Sequence, residues 1–419
     1  MPSQFGFEET LITNDAIVLG LLALILGAVY YTKSRGGVWD TIYKFVPIIL
    51  VCYLVPSLFN SFGVISSDHS NLWTVAKDYF LPASLILLTL SIDLKAIFGL
   101  GSKALIMFFT ATIGIIIGGP LAILIMSAIS PETVGGAGPD AVWRGFATLA
   151  GSWIGGGANQ TAMLEIYGYN IDRYSAMIAV DIVVANMWMA FLLYGAGNPQ
   201  PFDNWLRADT SAIDRLKDKM ASYQADVARP TTVNDLMFMT AIAVGGVGAS
   251  HLVADLIGNW ATSIPAIADS ILASKFFWVI VTATTIGLGA SFTPARSLEG
   301  AGASKIGTVF IFLLVTIIGT KMDVFQVFSQ PALFVTGIIW MLIHTALLFA
   351  VAKAIRAPFF FIAVGSKANV GGAASAPVVA AAFHPALAPV GVLLAVLGYA
   401  LGTYGAILCA ELMRLVAPV

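Results

Sequence analysis

Charge is scarce in this chain of 419 residues: Asp, Glu, Lys and Arg make up 11%, and the net charge is only -2. Such a balance offers no basic surface to a polyanion and excludes a nucleic acid partner. Cysteine is scarcer still. Cys52 and Cys409 each sit inside an apolar run, where they read as small core residues, and neither a disulfide framework nor metal-ligand spacing is present. No kinase, hydrolase or phosphate-loop signature appears, so neither an enzymatic activity nor a cofactor is expected. A secretory signal is not expected either, because Glu8, Glu9 and Asp15 precede the first apolar run while Lys33 and Arg35 follow it.

What is plentiful is apolar surface: 58% of residues are hydrophobic and the mean hydropathy is +0.88. The expectation is an all-α membrane protein embedded in the lipid bilayer. A spanning helix takes about 20 mostly apolar residues. Ten stretches qualify, near 16–32, 42–58, 77–92, 104–129, 174–194, 234–254, 276–293, 306–320, 332–352 and 388–412. Residues 255–272 are a weaker stretch that reads as an extra span or an outer amphipathic piece.

Two glycine-rich, asparagine-bearing segments, near 143–168 and 357–384, break the pattern, one in each half. Unwound backbone is tolerated in hydrocarbon only where it is buried in protein or lines a wet cavity. Each segment either crosses as a broken helix or dips in and returns as a hairpin. Charge placement favours hairpins: with the N-terminus outside, only Lys77, Arg144, Arg173, Lys275, Lys321 and Arg414 of the 21 basic residues stay outside. Five spans and one hairpin per half give an inverted-topology repeat, residues 1–196 and 233–419, as in secondary transporters. Leu90-Ser-Ile-Asp-Leu-Lys-Ala-Ile-Phe98 and Ile318-Gly-Thr-Lys-Met-Asp-Val-Phe325 hint at the same self-similarity. The polar linker 197–232 is expected in the cytoplasm. Its stripe Ile213, Leu216, Met220, Tyr223 and Val227, ended by Pro230, suits a surface connector or a protomer contact.

The candidate chemistry lies at the hairpin tips. In the first, Gly155, Gly156 and Gly157 permit a sharp reversal, and Ser152, Asn159, Gln160 and Thr161 supply polar side chains. In the second, Ser366, Lys367, Asn369, Gly371, Gly372 and Ser375 do the same. These read as substrate-binding residues; the competing reading is that small residues only let helices pack tightly. Asp181 falls mid-span, where a carboxylate costs about 2.5–3.5 kcal/mol on insertion scales and is functional by default. It is the candidate coupling-ion or proton site, alternatively half of a helix-locking ion pair, with Asn186 on a related stripe and Asn159 and Asn369 completing the ion-coupling set. Lys367 would neutralise Asp181, hold an anionic solute or snorkel inward. Glu165 reads as interfacial, and His344 as a neutral imidazole satisfied by a neighbouring helix more readily than as a proton relay.

Gly155-Gly-Gly-Ala-Asn-Gln-Thr-Ala162, Ser366-Lys-Ala-Asn-Val-Gly-Gly372 and Leu397-Gly-Tyr-Ala-Leu-Gly-Thr403 resemble the YjcL-like family of membrane proteins over essentially the whole chain. That family is similar in architecture to sodium/glutamate symporters, bile-acid-type symporters and cation/proton antiporters. The resemblance implies a core domain that moves against a scaffold domain as an elevator, usually in a homodimer of the cell (inner) membrane. It also implies solute and sodium held at Gly155 to Asn159 and Asn369 to Gly372, with Asp181 as the acidic site. Val180 stands where some antiporters carry a second acid. The expected function is a secondary active transporter that couples sodium or proton movement to a small organic, anionic solute. The alternatives are a cation/proton antiporter centred on Asp181 and a non-transporting sensor or subunit.

Overall fold

The computed structural model describes residues 12–418 apart from 47, 66–69, 218–219, 221–228, 266, 268–269 and 323–329. Within these residues the chain is helical from end to end, with one isolated bridge between Ile12 and Ile65. Six described helices are long and apolar enough to cross a membrane: Asp15–Arg35, Ser102–Ile129, Ile171–Gly197, Val233–Thr262, Ala332–Ala354 and Pro385–Val416. Lys275–Ser291, bent by 95° from Pro294–Ala301, makes a seventh if the pair counts as one span. The other expected spans fall on shorter helices. Residues 42–58 divide between Val38–Phe45 and Ile48–Ser61, residues 77–92 join a π-helical turn to Leu81–Leu90, and residues 306–320 lie in Ala303–Gly319. Residues 255–262 are the end of the Val233–Thr262 helix, and the only regular element that follows before Lys275 among the described residues is the short turn Ile271–Ala273. In the linker, Leu216 and Met220 are buried as the stripe requires. Tyr223, Val227 and the 323–325 end of the self-similar motif lie outside the described residues.

Local signals explain the helix ends. Asn14 caps the first helix through its side-chain oxygen, and Thr232 and Asp235 form a reciprocal capping box at Val233–Thr262. The helices then sort into two groups by what they pack against. One comprises Asp15–Arg35, Ile48–Ser61, Leu81–Leu90, Val233–Thr262, Lys275–Ser291 and Ala303–Gly319. The other comprises Ser102–Ile129, Ile171–Gly197, Ala332–Ala354, Ala388–Val416 and the two Gly/Asn segments.

Both of those segments fold back on themselves. Val142–Tyr167 breaks at Gly156, with φ 76° and ψ -170°, a combination essentially confined to glycine. Its two ends then meet: the rings of Trp143 and Tyr167 lie 5.4 Å apart, whereas a straight helix would separate them by about 36 Å. Arg144 Nη1 closes the base by donating to the Tyr167 carbonyl. In the second segment Phe359–Asn369 turns through Gly371 (φ 107°) and Gly372 (φ 56°) into Gly372–Phe383. Here Phe359 and Phe360 at one end stand 6.2 and 5.2 Å from Phe383 at the other. Aromatic pairs thus clasp the open end of each hairpin.

Candidate functional site

The two tips meet on one aromatic ring. A Cβ built on Gly156 would lie 3.5 Å from Tyr399 Cε1, and one built on Gly372 would lie 3.7 Å from the same atom. One residue earlier, a Cβ on Gly398 would stand 3.0 Å from the Ile154 carbonyl oxygen and 3.2 Å from that of Ala368. The C-terminal ends of both first arms therefore converge on Ala388–Val416, bringing together two helix ends that carry partial negative charge.

Asp181, 8% exposed, is held by the first hairpin. Its Oδ1 accepts from Trp153 Nε1 at 2.7 Å, and its Oδ2 from Ser152 Oγ at 2.7 Å and Gln160 Nε2 at 3.1 Å. Ser152 and Gln160 sit on opposite arms, so the carboxylate ties the hairpin shut. Charge-assisted hydrogen bonds of this kind are the strong class. Lys367, 2% exposed, acts electrostatically on Asp181 without ion-pair contact and donates from Nζ to the Ala185 carbonyl at 3.2 Å. A Cβ on Gly371 would lie 3.3 Å from Lys367 Nζ and 2.3 Å from Ser375 Oγ, so the missing side chain is what allows these two groups to approach. Ser375 Oγ is buried with no hydrogen-bond partner among the described residues.

The two asparagines are engaged by protein partners. Asn159 Nδ2 donates to the Gly155 and Tyr399 carbonyls, both at 3.0 Å, and its Oδ1 accepts from Thr403 Oγ1 at 2.6 Å. Asn369 Nδ2 donates to Gly365 at 3.0 Å and Phe108 at 3.3 Å, and its Oδ1 accepts from Thr112 Oγ1 at 2.8 Å. Both amides are fully buried and use every donor on protein partners, so in this conformation they clamp hairpin to helix. Gly155 serves packing: a Cβ there would lie 2.6 Å from Gly402 Cα. Gly157 rests against Ile311 and Ile49 of the other helix group. Thr161 Oγ1 bonds back to Gly157 and Asn186 Nδ2 back to Ile182, each within its own helix, which leaves Asn186 outside the Asp181 cluster.

Ser366 accepts from Trp188 Nε1 and bonds to His344 Nε2, both at 2.8 Å. His344 Nδ1 faces the Ala111 carbonyl at 3.1 Å. A carbonyl only accepts, so Nδ1 carries the proton and Ser366 donates to Nε2, the neutral satisfied imidazole that its mid-span position suggests. Glu165 lies 3.5 Å from Lys77 across the boundary between the helix groups.

Trp153 and Thr112 do not stand out in the sequence: Trp153 lies in the glycine-rich run 151–157 and Thr112 in an apolar one, where nothing local distinguishes an indole or hydroxyl with a buried partner from core.

The matching family model, described as Protein of unknown function (DUF819), covers residues 16–416, and the chain belongs to that family. It is similar to the Uncharacterized membrane protein YjcL of Bacillus subtilis (strain 168), with 23% identity over 414 residues, 94% of this chain and 96% of YjcL. The YjcL-like resemblance is thereby established, and with the apolar helices it makes this a multi-pass membrane protein.

Proposed function

We propose that this member of the family is a secondary active transporter that couples proton or sodium entry to movement of a small organic, anionic solute. The observation that carries the reading is the meeting of two re-entrant tips on Tyr399, beside a buried carboxylate and a buried ammonium. Charged side chains this deep in an apolar bundle are costly and mark a functional site by default, and broken helices at mid-depth are the usual build of a solute site. In this reading the halves are inverted repeats of five spans and a hairpin, with the N-terminus outside and the linker in the cytoplasm. The hairpin group is the mobile core, the other group the scaffold, and the pair moves as an elevator within a homodimer of the inner membrane. Asp181 is the coupling site: taking up a cation removes the charge that holds Ser152, Trp153 and Gln160.

A second reading, cation/proton antiport without organic solute, draws on the same carboxylate and on the separation of Lys367 from it. Proteoliposomes under an imposed proton or sodium gradient distinguish the two. Solute accumulation abolished by Asp181→Asn supports the first reading; pH-dependent cation exchange with no solute requirement replaces it with the second.

A further inference from the structure

Lys367 is a buried cation without an anion. It is 2% exposed, and among the described residues it forms no ion pair and gives one hydrogen bond, from Nζ to the Ala185 carbonyl at 3.2 Å. An ammonium carries three donors, and a buried charge is tolerated when it is both paired and hydrogen-bonded. Asp181 acts on it only from a distance. The oxygens of that carboxylate already accept from Trp153, Ser152 and Gln160.

The groups beside the ammonium are short of an acceptor as well. The helix Gly372–Phe383 starts next to it from two glycines of positive φ, Gly371 at 107° and Gly372 at 56°, and no side chain of the described residues caps it. Its first-turn N–H groups form the positive end of the helix dipole. On the same turn a Cβ built on Gly371 would lie 2.3 Å from Ser375 Oγ and 3.3 Å from Lys367 Nζ, so hydroxyl and ammonium flank one glycine. They do not bond to each other: Ser375 Oγ is buried with no hydrogen-bond partner among the described residues. The turn is nevertheless reachable, since Gly371 and Ala374 are exposed while Lys367 and Asn369 are buried. It also adjoins the junction of the two tips, because the Ala373 N–H interacts with the Tyr399 hydroxyl.

An unpaired ammonium, an uncapped helix start and an orphan hydroxyl at one glycine all ask for the same thing, a negatively charged acceptor. Lys367 is the one Lys or Arg of the segment 357–384, so the charge that balances it is a single one. A dianion would carry an uncompensated charge into the apolar bundle. A carboxylate fits: its two oxygens accept from the ammonium and from the helix start or the hydroxyl at the same time.

Resting on the transporter reading, we infer that Lys367, the first turn of Gly372–Phe383 and Ser375 form the subsite for the carboxylate of the solute. Lys367 is then the solute's counter-ion, and the ion pair is completed by the cargo.

The test supplies the missing carboxylate from the chain itself. In the detergent-purified full chain, Ser375→Asp should melt at a higher temperature than its neutral counterpart Ser375→Asn, and the gain should vanish when both are made in a Lys367→Met background. With sodium and ionic strength held constant, replacing sulfate by acetate or benzoate should stabilise the wild type, whereas chloride and acetamide should not. Lys367→Met should weaken the response to the two carboxylates at least about tenfold, and Ser375→Asp, its subsite filled, should lose it. The inference is overturned if Ser375→Asp is no more stable than Ser375→Asn or fails to fold where Ser375→Asn folds. A gain that persists without Lys367, a response to chloride or sulfate equal to that to acetate, or carboxylate binding undiminished in Lys367→Met overturns it too. If it fails while vesicles still accumulate an organic anion, the transporter reading stands without this subsite. If vesicles move cations alone, that reading falls and the solute carboxylate with it.

Discussion

Ser152 and Gln160 donate to the same oxygen, Oδ2 of Asp181, at 2.7 and 3.1 Å. Eight positions along an unbroken helix correspond to about 12 Å, so one atom can serve both only because the chain reverses between them. The carboxylate therefore ties the two arms together, and neutralising it would weaken the charge-assisted bonds to both.

Asp181→Asn should separate these roles. The amide presents N–H where the carboxylate accepted, leaving at least one of Ser152, Trp153 and Gln160 facing a donor, at about 1–3 kcal/mol. The expected outcome is a lower melting temperature together with loss of gradient-driven transport in proteoliposomes. A variant that keeps coupled transport would remove Asp181 from the mechanism.

Glycine variants should grade by geometry. A Cβ at Gly151 would lie 2.5 Å from the Asn159 carbonyl oxygen, so Gly151→Ala should push the arms apart and cost about 1–3 kcal/mol. Gly156→Ala has room but the wrong φ and should cost a similar amount. Gly157→Ala, with its nearest contact at 3.6 Å, should be close to neutral. Unfolding midpoints of the three proteins decide; equal losses would contradict the hairpin.

Asn159→Ala and Asn369→Ala should behave as clamp losses. Each removes one partner from a buried threonine hydroxyl and from two carbonyls, while Thr403 keeps Thr284 and Thr112 keeps the Phe108 carbonyl, and stability should fall by about 1–3 kcal/mol. A double-mutant cycle of Asn159→Ala with Thr403→Val should show coupling of about 0.5–3 kcal/mol. Ligand affinity in protein that remains folded should change little, and a specific loss of affinity at unchanged stability would restore these amides to the solute.

Outside the helices long enough to span, Asp203 in the short helix Gln200–Leu206 accepts from the Phe359 N–H at 2.8 Å, and burial nevertheless raises its carboxyl above the usual range. A raised carboxyl favours the protonated native state, so its contribution is full below the unfolded value of about 3.9 and is lost as pH rises through the native one. Asp203→Asn, which keeps the acceptor without the charge, should therefore raise the melting temperature slightly at pH 7 and make no difference near pH 3. A drop at pH 7 would show that the charge itself is required.

Much of this protein was legible in one dimension because the relevant physics is local. A hydropathy of this size selects the bilayer as solvent, and hydrocarbon leaves the backbone little choice but helix. Glycine marks where a helix can reverse, and the breaks fall at Gly156 and at Gly371 and Gly372. A lone acid in an apolar run, Asp181, announces itself by its cost. The helix lengths were less legible: six described helices reach spanning length where ten stretches seemed apolar enough, because hydropathy does not register a break such as that between Phe45 and Ile48.

What only the tertiary structure decided is which groups share a partner. Asn159 and Asn369 look alike as ligands in sequence, yet Tyr399 and Thr403 absorb one and Phe108 and Thr112 the other. Trp153 gives no sign in its glycine-rich run that its indole serves Asp181, almost thirty positions on. Periodicity and composition record what a residue can offer; whether the offer is already taken depends on segments hundreds of positions away, and that is settled by packing.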